Sequence, residues 1–331
     1  MGGRDGDHRR QARIGCARFR GPGVSDASQS RFRQGYWPYA LIFVAALILA
    51  SNHIIGRWVQ GTMPPMGIGF WRLAIATIVL LPFVGMSVWQ KRAVLRKHWK
   101  LFLVMGIALG PFGNAAVYVA YHFTTAINGG VVSTAQPVAT VLLSIILFRD
   151  GISRNQWIGV IAATLGVLVI ISGGELDILL ALEPNIGDLI MLAAMFGFAV
   201  HNVLLRRFPK DFSTAEILLT IQLFAMIVML PVYILESIFF LPMPVTFESV
   251  AVMAWIGIAV AIVAVGCTNT VVLAIGANRS VMSNYVRAVL TALLAVLILG
   301  ETLETFHLIA FALVVMGVVL LGRGRKTTKL A

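Results

Sequence analysis

The chain has 331 residues, of which 59% are hydrophobic and 12% are charged. Soluble globular proteins carry about 45–50% apolar and about 25% charged residues, so this composition excludes a soluble fold, a disordered chain and a small disulfide scaffold. The formal net charge of +12 is concentrated in a terminal tail and in short connections between apolar runs. This distribution excludes a nucleic-acid-binding surface and is typical of a polytopic membrane protein.

The N-terminal segment, residues 1–36, is polar and rich in arginine. It contains no apolar run of the length that a secretory signal needs, and it has too few apolar side chains to offset the entropy of ordering. We therefore expect a disordered basic tail on the cytoplasmic side, with a second basic cytoplasmic tail at residues 324–331. A transit peptide, or a start of translation downstream of this segment, remains an alternative.

From residue 37 onward the chain is a succession of apolar runs separated by short polar connections. A helix needs about 20 apolar residues to cross the hydrocarbon core of a bilayer. The runs are solidly apolar and do not alternate as barrel strands do, so the sequence predicts an all-α polytopic membrane protein. Ten transmembrane helices are predicted, near 38–56, 65–86, 101–121, 125–148, 155–173, 186–205, 214–235, 250–274, 280–299 and 305–322.

The basic residues alternate between the two sides of the predicted bundle. Of the 26 lysines and arginines, 23 fall in the tails and in every second connection, Arg57 alone falls on the opposite side, and Arg72 and Arg287 lie inside spans. Positively charged connections stay in the cytoplasm. The sequence therefore predicts a multi-pass protein of the inner cell membrane with both termini cytoplasmic.

An internal repeat divides the chain into two halves. Residues 137–170 resemble residues 288–321 at an offset of 151, which aligns Gly166 with Gly317, and IVLLP (78–82) matches IVMLP (227–231) at an offset of 149. Five spans in each half is an odd number, so we expect two inverted five-helix repeats, at 37–174 and 175–323. Secondary transporters are built in this way, with the substrate near the midplane between the halves.

The ordered set of stretches in both halves resembles the EamA-type members of the drug/metabolite transporter superfamily. The stretches are ALILASNHIIGRWV, FWRLAIATIVLLPF and AINGGVVSTAQPVATVLLSIILFRD in the first half, and GDLIMLAAMFGFAVHNVLLRR and NYVRAVLTALLAVLILGETLETF in the second. The resemblance implies a ten-helix carrier that exports or imports small metabolites, often amino acids, by alternating access. The chain departs from the family pattern at Ala288, where the first half has Pro137, and at Arg287, where the family often carries an acidic or neutral residue.

Polar residues inside the apolar runs are the candidate substrate-binding residues. A buried charge is costly, so such residues usually face the bundle interior or a wet cavity, and a guanidinium grips a carboxylate or phosphate with two hydrogen bonds. Snorkelling to the headgroups, or pairing with Glu301, is the alternative for Arg287. Polar side chains also join helices without binding a ligand. The candidates are Arg287, its repeat counterpart Gln136, Asn52, His53, His201, Asn202, Arg72 and Tyr285.

Three polar residues at the end of the third run, Tyr118, Tyr121 and His122, are read as an interfacial belt rather than as part of a pocket. Prolines Pro82 and Pro231 are expected to mark helix ends. We find no carboxylate in the middle of any run. Since proton coupling usually uses a buried acid, a histidine-mediated or purely facilitative mechanism stays open.

The sequence contains no ATP-binding loop, zinc-protease motif or nucleophile elbow, so we expect neither an enzyme nor a cofactor or metal site. The predicted function is secondary transport, most simply export, of a small organic metabolite such as an amino acid or organic anion. The partners expected are this solute and the lipid bilayer, in a monomer or homodimer, with no nucleic acid. A membrane-embedded enzyme acting on a lipid-like substrate is the alternative function.

Overall fold

The computed structural model describes residues 37–149, 151–175, 177, 184–275 and 282–323. The side chains at 38, 269, 272–275, 282, 285 and 322–323 are outside the described part. Both predicted tails, Asp150 and the side chain of Tyr285 therefore lie outside the description that follows.

All regular structure in the described residues is helical. In the first half, α1 is Trp37–Trp58, α2 is Pro65–Gln90, and α3 is the short helix Arg92–Lys97. Helix α4 runs through Trp99–Leu109, a π-helical segment Gly110–Ala115 and Ala116–Ala120. Helix α5 comprises Ala126–Val132, a 3-10 turn Ser133–Ala135 and Gln136–Phe148, and α6 is Arg154–Ile171.

The second half repeats this order. Helix α7 is Ile186–Leu204 with a 3-10 turn Leu205–Arg207, and α8 is Thr214–Phe239. Helix α9 runs through Phe247–Ala254, a π-helical segment Trp255–Ala264 and Val265–Ile275. Helix α10 comprises Met282–Leu294 and a π-helical segment Ala295–Leu299, and α11 is Thr305–Arg323.

Within the described residues, eight helices are long and apolar enough to cross a membrane, and two shorter apolar helices lie at Val286–Leu299 and Thr305–Leu321. Every range predicted from the sequence contains helical residues. The all-helical membrane fold is therefore confirmed, whereas the count of ten crossings remains a prediction.

The two prolines expected at helix ends lie inside helices instead. Pro82 is within α2 and Pro231 is within α8, so both helices extend about one turn beyond the predicted ends at 86 and 235. The expectation was wrong because it applied the rule for soluble helices. In hydrocarbon no water satisfies free backbone groups, so a helix continues past a proline that neighbouring groups can accommodate.

Helices from the two halves pack in reciprocal pairs. When the short helix α3 is left out of the count, the first helix of each half contacts the fourth helix of the other half. Helix α1 contacts α10, and α7 contacts α5. The second helices, α2 and α8, contact each other, and so do the fifth helices, α6 and α11. Such reciprocity is what two copies of one unit produce when they share a pseudo-twofold axis.

The pair α2–α8 is antiparallel and is closed at each end by a carboxylate. At one end Glu236 accepts hydrogen bonds from the backbone N–H groups of Met66 (3.1 Å) and Gly67 (2.7 Å). At the other end Glu216 accepts a hydrogen bond from Ser87 and pairs with Lys91 at 2.6 Å. The start of each helix thus meets the end of the other.

The pair α6–α11 is also antiparallel and depends on glycine. A Cβ added at Gly317 would lie 2.6 Å from the Ala163 nitrogen and 2.6 Å from the Gly159 oxygen. Further along, a Cβ at Gly166 would lie 2.8 Å from the Ala310 oxygen. Small residues permit this backbone approach, which maximises van der Waals packing where lipid provides no hydrophobic drive between helices.

Candidate functional site

Two tyrosines from α4 hold the polar pair of α1. Tyr118 donates a hydrogen bond to Asn52 Oδ1 (2.8 Å), and the Tyr121 hydroxyl is hydrogen-bonded to His53 Nδ1. All four side chains are buried. Tyr118 also accepts a hydrogen bond from the Arg72 guanidinium of α2 at 3.4 Å. The interfacial-belt expectation was wrong for both tyrosines, because each hydroxyl has a partner inside the bundle. His122 is exposed.

One end of this polar cluster is closed by Arg57 and Glu301. Arg57 donates to the backbone oxygen of Tyr121 (2.7 Å), and its Nε lies 3.9 Å from Glu301 Oε1. Glu301 in turn accepts from the N–H groups of Ala126 (2.7 Å) and Ile127 (2.9 Å) at the start of α5. A carboxylate at a helix N-terminus is stabilised by the free N–H groups and the helix dipole. Helices α1, α4, α5 and α10 therefore meet at this end.

Arg287 of α10 reaches into the bundle toward α5. Its Nη2 donates a hydrogen bond to Ser133 Oγ at 3.3 Å, whereas its Nε is buried without a hydrogen-bond partner in the described residues. Ser133 is the eighth residue of α5, so it lies about 10 Å along the helix from the first residue, Ala126. The guanidinium therefore does not pair with Glu301, whose cationic neighbour is Arg57.

The Arg287 guanidinium and the Tyr121 hydroxyl lie on neighbouring turns of the same face of α5. A Cβ added at Gly129 would lie 2.7 Å from the Tyr121 hydroxyl, and Ser133, the partner of Arg287, follows four residues later. Residues four apart share one face of a helix and are about 6 Å apart. Gly129 thus makes room for Tyr121 beside the arginine.

The other candidates behave differently. In the part of the chain that is described, the side chains of Gln136, His201 and Asn202 make no hydrogen bond, and the Nδ1 atom of His201 is buried without a partner. Gln136 and Arg287 are repeat counterparts in α5 and α10, but their side chains are not hydrogen-bonded to each other. Thr140 donates to the Gln136 carbonyl and Thr291 donates to the Arg287 carbonyl, at 2.8 and 2.9 Å.

One buried carboxylate was missed in the sequence. Asp188, the third residue of α7, is 0% exposed and accepts hydrogen bonds from Thr124 Oγ1 and from Asn128 Nδ2 (3.2 Å). Because Asp188 lies in the first turn of α7, it does not conflict with the expectation that no carboxylate lies in the middle of a run, but its burial was not predicted. An aspartate in the first turn of a helix is common for reasons of capping alone, so its position gave no signal of burial.

The cluster around Arg287 combines a cation, two tyrosine hydroxyls, a histidine and a serine at the junction of the two halves. Such an arrangement can bind an anionic group through the guanidinium and orient neighbouring polar groups through the hydroxyls. Among the described residues no group of three or more His, Cys, Asp or Glu side chains is placed to hold a metal ion.

Comparison with known proteins identifies the family. The model of the EamA-like transporter family matches this chain twice, at residues 36–172 and 185–323. The chain is 26% identical to the uncharacterized transporter YyaM of Bacillus subtilis, over 85% of this chain and 92% of the relative. It is 25% identical to the inner membrane transporter YedA of Escherichia coli, over 89% and 94%.

Two further similarities are informative. The S-adenosylmethionine uptake transporter of Rickettsia prowazekii is 23% identical over 57% of this chain and 62% of its own length. A crystal structure that is 21% identical superimposes with a TM-score of 0.54, covering 85% of this chain and 94% of the solved chain, and so shows the same fold.

The family and these relatives are named as transporters and not as enzymes, which removes the alternative of a lipid-modifying enzyme. Family membership also confirms two related repeats in one multi-pass membrane protein. With its family model matched in both halves, the chain belongs to the EamA-like transporter family.

Proposed function

We propose that this protein is a secondary transporter that moves a small organic anion, such as an acidic amino acid or a carboxylic acid, by alternating access. The two repeats would be inverted, with five crossings each and both termini in the cytoplasm of the inner membrane. The antiparallel pairs α2–α8 and α6–α11 support inversion, because equivalent helices of inverted repeats run in opposite directions.

The proposal that the substrate is an anion rests on one observation, the environment of the Arg287 guanidinium. It is half-buried between α10 and α5, where, among the described residues, it has one neutral partner, Ser133, and a buried Nε without a partner. A guanidinium withdrawn from water without a carboxylate is costly, whereas a bound carboxylate would supply the missing charge and accept two parallel hydrogen bonds. Tyr121, His53 and Arg72 would complete the lining of the site.

Reconstitution of the purified protein tests this function directly. Counterflow of radiolabelled glutamate and succinate into proteoliposomes should be faster than counterflow of the cation spermidine. Arg287→Lys keeps the charge but loses the planar fork, so the apparent affinity for the transported anion should fall about tenfold, since a hydrogen bond to a charged group contributes about 1.5–3 kcal/mol. Arg287→Gln should weaken it further.

The matched control is Arg154→Gln, because Arg154 is exposed at the start of α6. It should leave counterflow unchanged. Unaltered anion affinity in Arg287→Gln, or transport restricted to spermidine, would refute the proposal. The direction predicted from the sequence is export. The Rickettsia relative is named for uptake, so flux should be measured in vesicles of both orientations.

A further inference from the structure

Asp188 lies outside the polar cluster described above and has a distinct environment. Its carboxylate is fully buried where the start of α7 meets the connection between α4 and α5. A Cβ added at the preceding Gly187 would lie 2.7 Å from the Phe123 carbonyl carbon and 2.7 Å from the Thr124 nitrogen. This close packing holds the carboxylate against Thr124 and Asn128.

Capping of α7 does not explain this aspartate. The N-cap residue is Asn185, whose Oδ1 accepts from the N–H groups of Gly187 (2.8 Å) and Asp188 (3.3 Å). The Asp188 oxygens instead accept from the side chains of Thr124 and Asn128. A residue retained only as a cap would direct its oxygens to backbone N–H groups of its own helix.

The charge of Asp188 is not neutralised by a basic side chain. Within the described residues its carboxylate forms no salt bridge. Arg57 is engaged by Glu301 and by the Tyr121 carbonyl. His122 is outside the spans, and its pKa is lowered by partial desolvation and by Arg57. A buried carboxylate without a cation is costly and tends to take up a proton.

Asn128 also lines a cleft. The cleft has a volume of about 380 Å³ and is lined by residues that include Asn128, Glu301, Glu304 and His307. Asn128 therefore separates the Asp188 carboxylate from the cleft by one side chain.

A chain of hydrogen bonds links the residues that line the cleft to Asp188, and the known donors fix the direction of each bond. The Glu304 N–H donates to His307 Nδ1 at 2.9 Å, so the proton of the neutral ring is on Nε2. His307 Nε2 then donates to Asn128 Oδ1 at 2.9 Å, which directs the Asn128 amide nitrogen to Asp188. The whole chain of donors points at the carboxylate and is consistent with a deprotonated Asp188.

We propose that Asp188, screened by Asn128 and His307, is a proton-binding site that opens to this cleft and couples transport to the proton gradient. In the binding step a proton from water in the cleft bonds to a carboxylate oxygen of Asp188, giving a neutral carboxyl group, and no other reactant is needed. Rotation of the Asn128 amide would admit the water that delivers it. Proton binding itself is independent of the proposed function, whereas the coupling rests on it.

Proton binding can be measured without a transported solute. Infrared difference spectra of the purified protein between acidic and alkaline buffer should contain the carbonyl stretch of a carboxyl group that titrates. Asp188→Asn should remove this band, and Asp211→Asn, which alters an exposed aspartate, should retain it. Thr124→Val keeps the shape of the side chain beside Asp188 but removes one hydrogen bond to the carboxylate. It should shift the pH midpoint at which this band titrates. An unchanged band in Asp188→Asn refutes the site.

Coupling is measured in proteoliposomes with radiolabelled glutamate and succinate as probes. Asp188→Asn should abolish accumulation driven by a pH gradient while counterflow, which needs no net proton movement, continues. His307→Gln can keep both hydrogen bonds of the ring, so counterflow should persist with slower pH-driven uptake. If counterflow is absent from the unmodified protein, the proposed function fails. If counterflow is present and Asp188→Asn still accumulates solute from a pH gradient, only the coupling site fails.

Discussion

The offset of 149 that aligns IVLLP with IVMLP also aligns Asn52–His53 of α1 with His201–Asn202 of α7, and these two polar pairs have different surroundings. The first pair is hydrogen-bonded to Tyr118 and Tyr121 of α4. In the second pair, as far as the structure describes it, neither side chain makes a hydrogen bond, and a ring nitrogen of the histidine is buried without a partner. Equivalent positions therefore do not have equivalent chemistry.

Helix α4 of the first half and its counterpart α9 in the second half account for the difference. At the offset of 151, Tyr118 and Tyr121 correspond to Asn269 and Val272, so the second half has no tyrosine hydroxyl at either position. A symmetric scaffold can therefore hold an asymmetric site. The helices of the two halves pack in reciprocal pairs, while the polar residues between them differ.

The largest difference between the pairs should appear when each histidine is replaced by leucine. His53→Leu leaves the buried Tyr121 hydroxyl unpaired and should lower the free energy of unfolding by about 1–3 kcal/mol. His201→Leu removes a nitrogen that already lacks a partner and should change it by less than about 0.5 kcal/mol. Equilibrium unfolding in mixed detergent measures both. Equal losses in the two variants would contradict the asymmetry.

A smaller difference is expected at the asparagines. Asn52→Ala removes the acceptor of the Tyr118 hydroxyl and should lower the free energy of unfolding by about 1 kcal/mol, because that hydroxyl retains only the weaker contact with Arg72. Asn202→Ala serves as the matched control and should have a smaller effect. Hydrogen exchange of the tyrosine region, read by mass spectrometry, should increase in the first variant alone. A greater loss in Asn202→Ala would show that the second pair is bonded in solution.

The smallest effect concerns a place where the two halves are alike. Thr140 and Thr291 each donate to the carbonyl four residues earlier, that of Gln136 and of Arg287 respectively. Such hydrogen bonds back to the helix contribute little to stability, so Thr140→Val and Thr291→Val should each change the unfolding free energy by less than about 0.5 kcal/mol. Thermal unfolding followed by tryptophan fluorescence checks this. A marked effect in one half only would place the asymmetry in the fourth helices as well.

Local sequence was a sufficient guide to the helices and an insufficient guide to their ends. Long apolar runs specify membrane helices because an unpaired backbone in hydrocarbon is prohibitive, and the predicted ranges contain helices throughout the described residues. Helix ends were wrongly predicted at Pro82 and Pro231, because the cost of unpaired backbone groups in hydrocarbon also favours continuing a helix past a proline. The repeat was visible because glycines such as Gly166 and Gly317 are needed wherever the backbones of two helices touch.

Hydropathy and internal repetition can be read directly from the order of the residues, and they are enough to identify a helical membrane protein with two related halves. The sequence also identified Arg287 as an unusual charge within an apolar run. The folded structure was needed to find that Arg287 contacts Ser133, that Tyr121 contacts His53, and that Asp188 is enclosed by Thr124 and Asn128. These contacts join residues about 60 to 150 positions apart in the chain. Their partners are chosen by the packing of separate helices, and the local pattern carries no record of that packing.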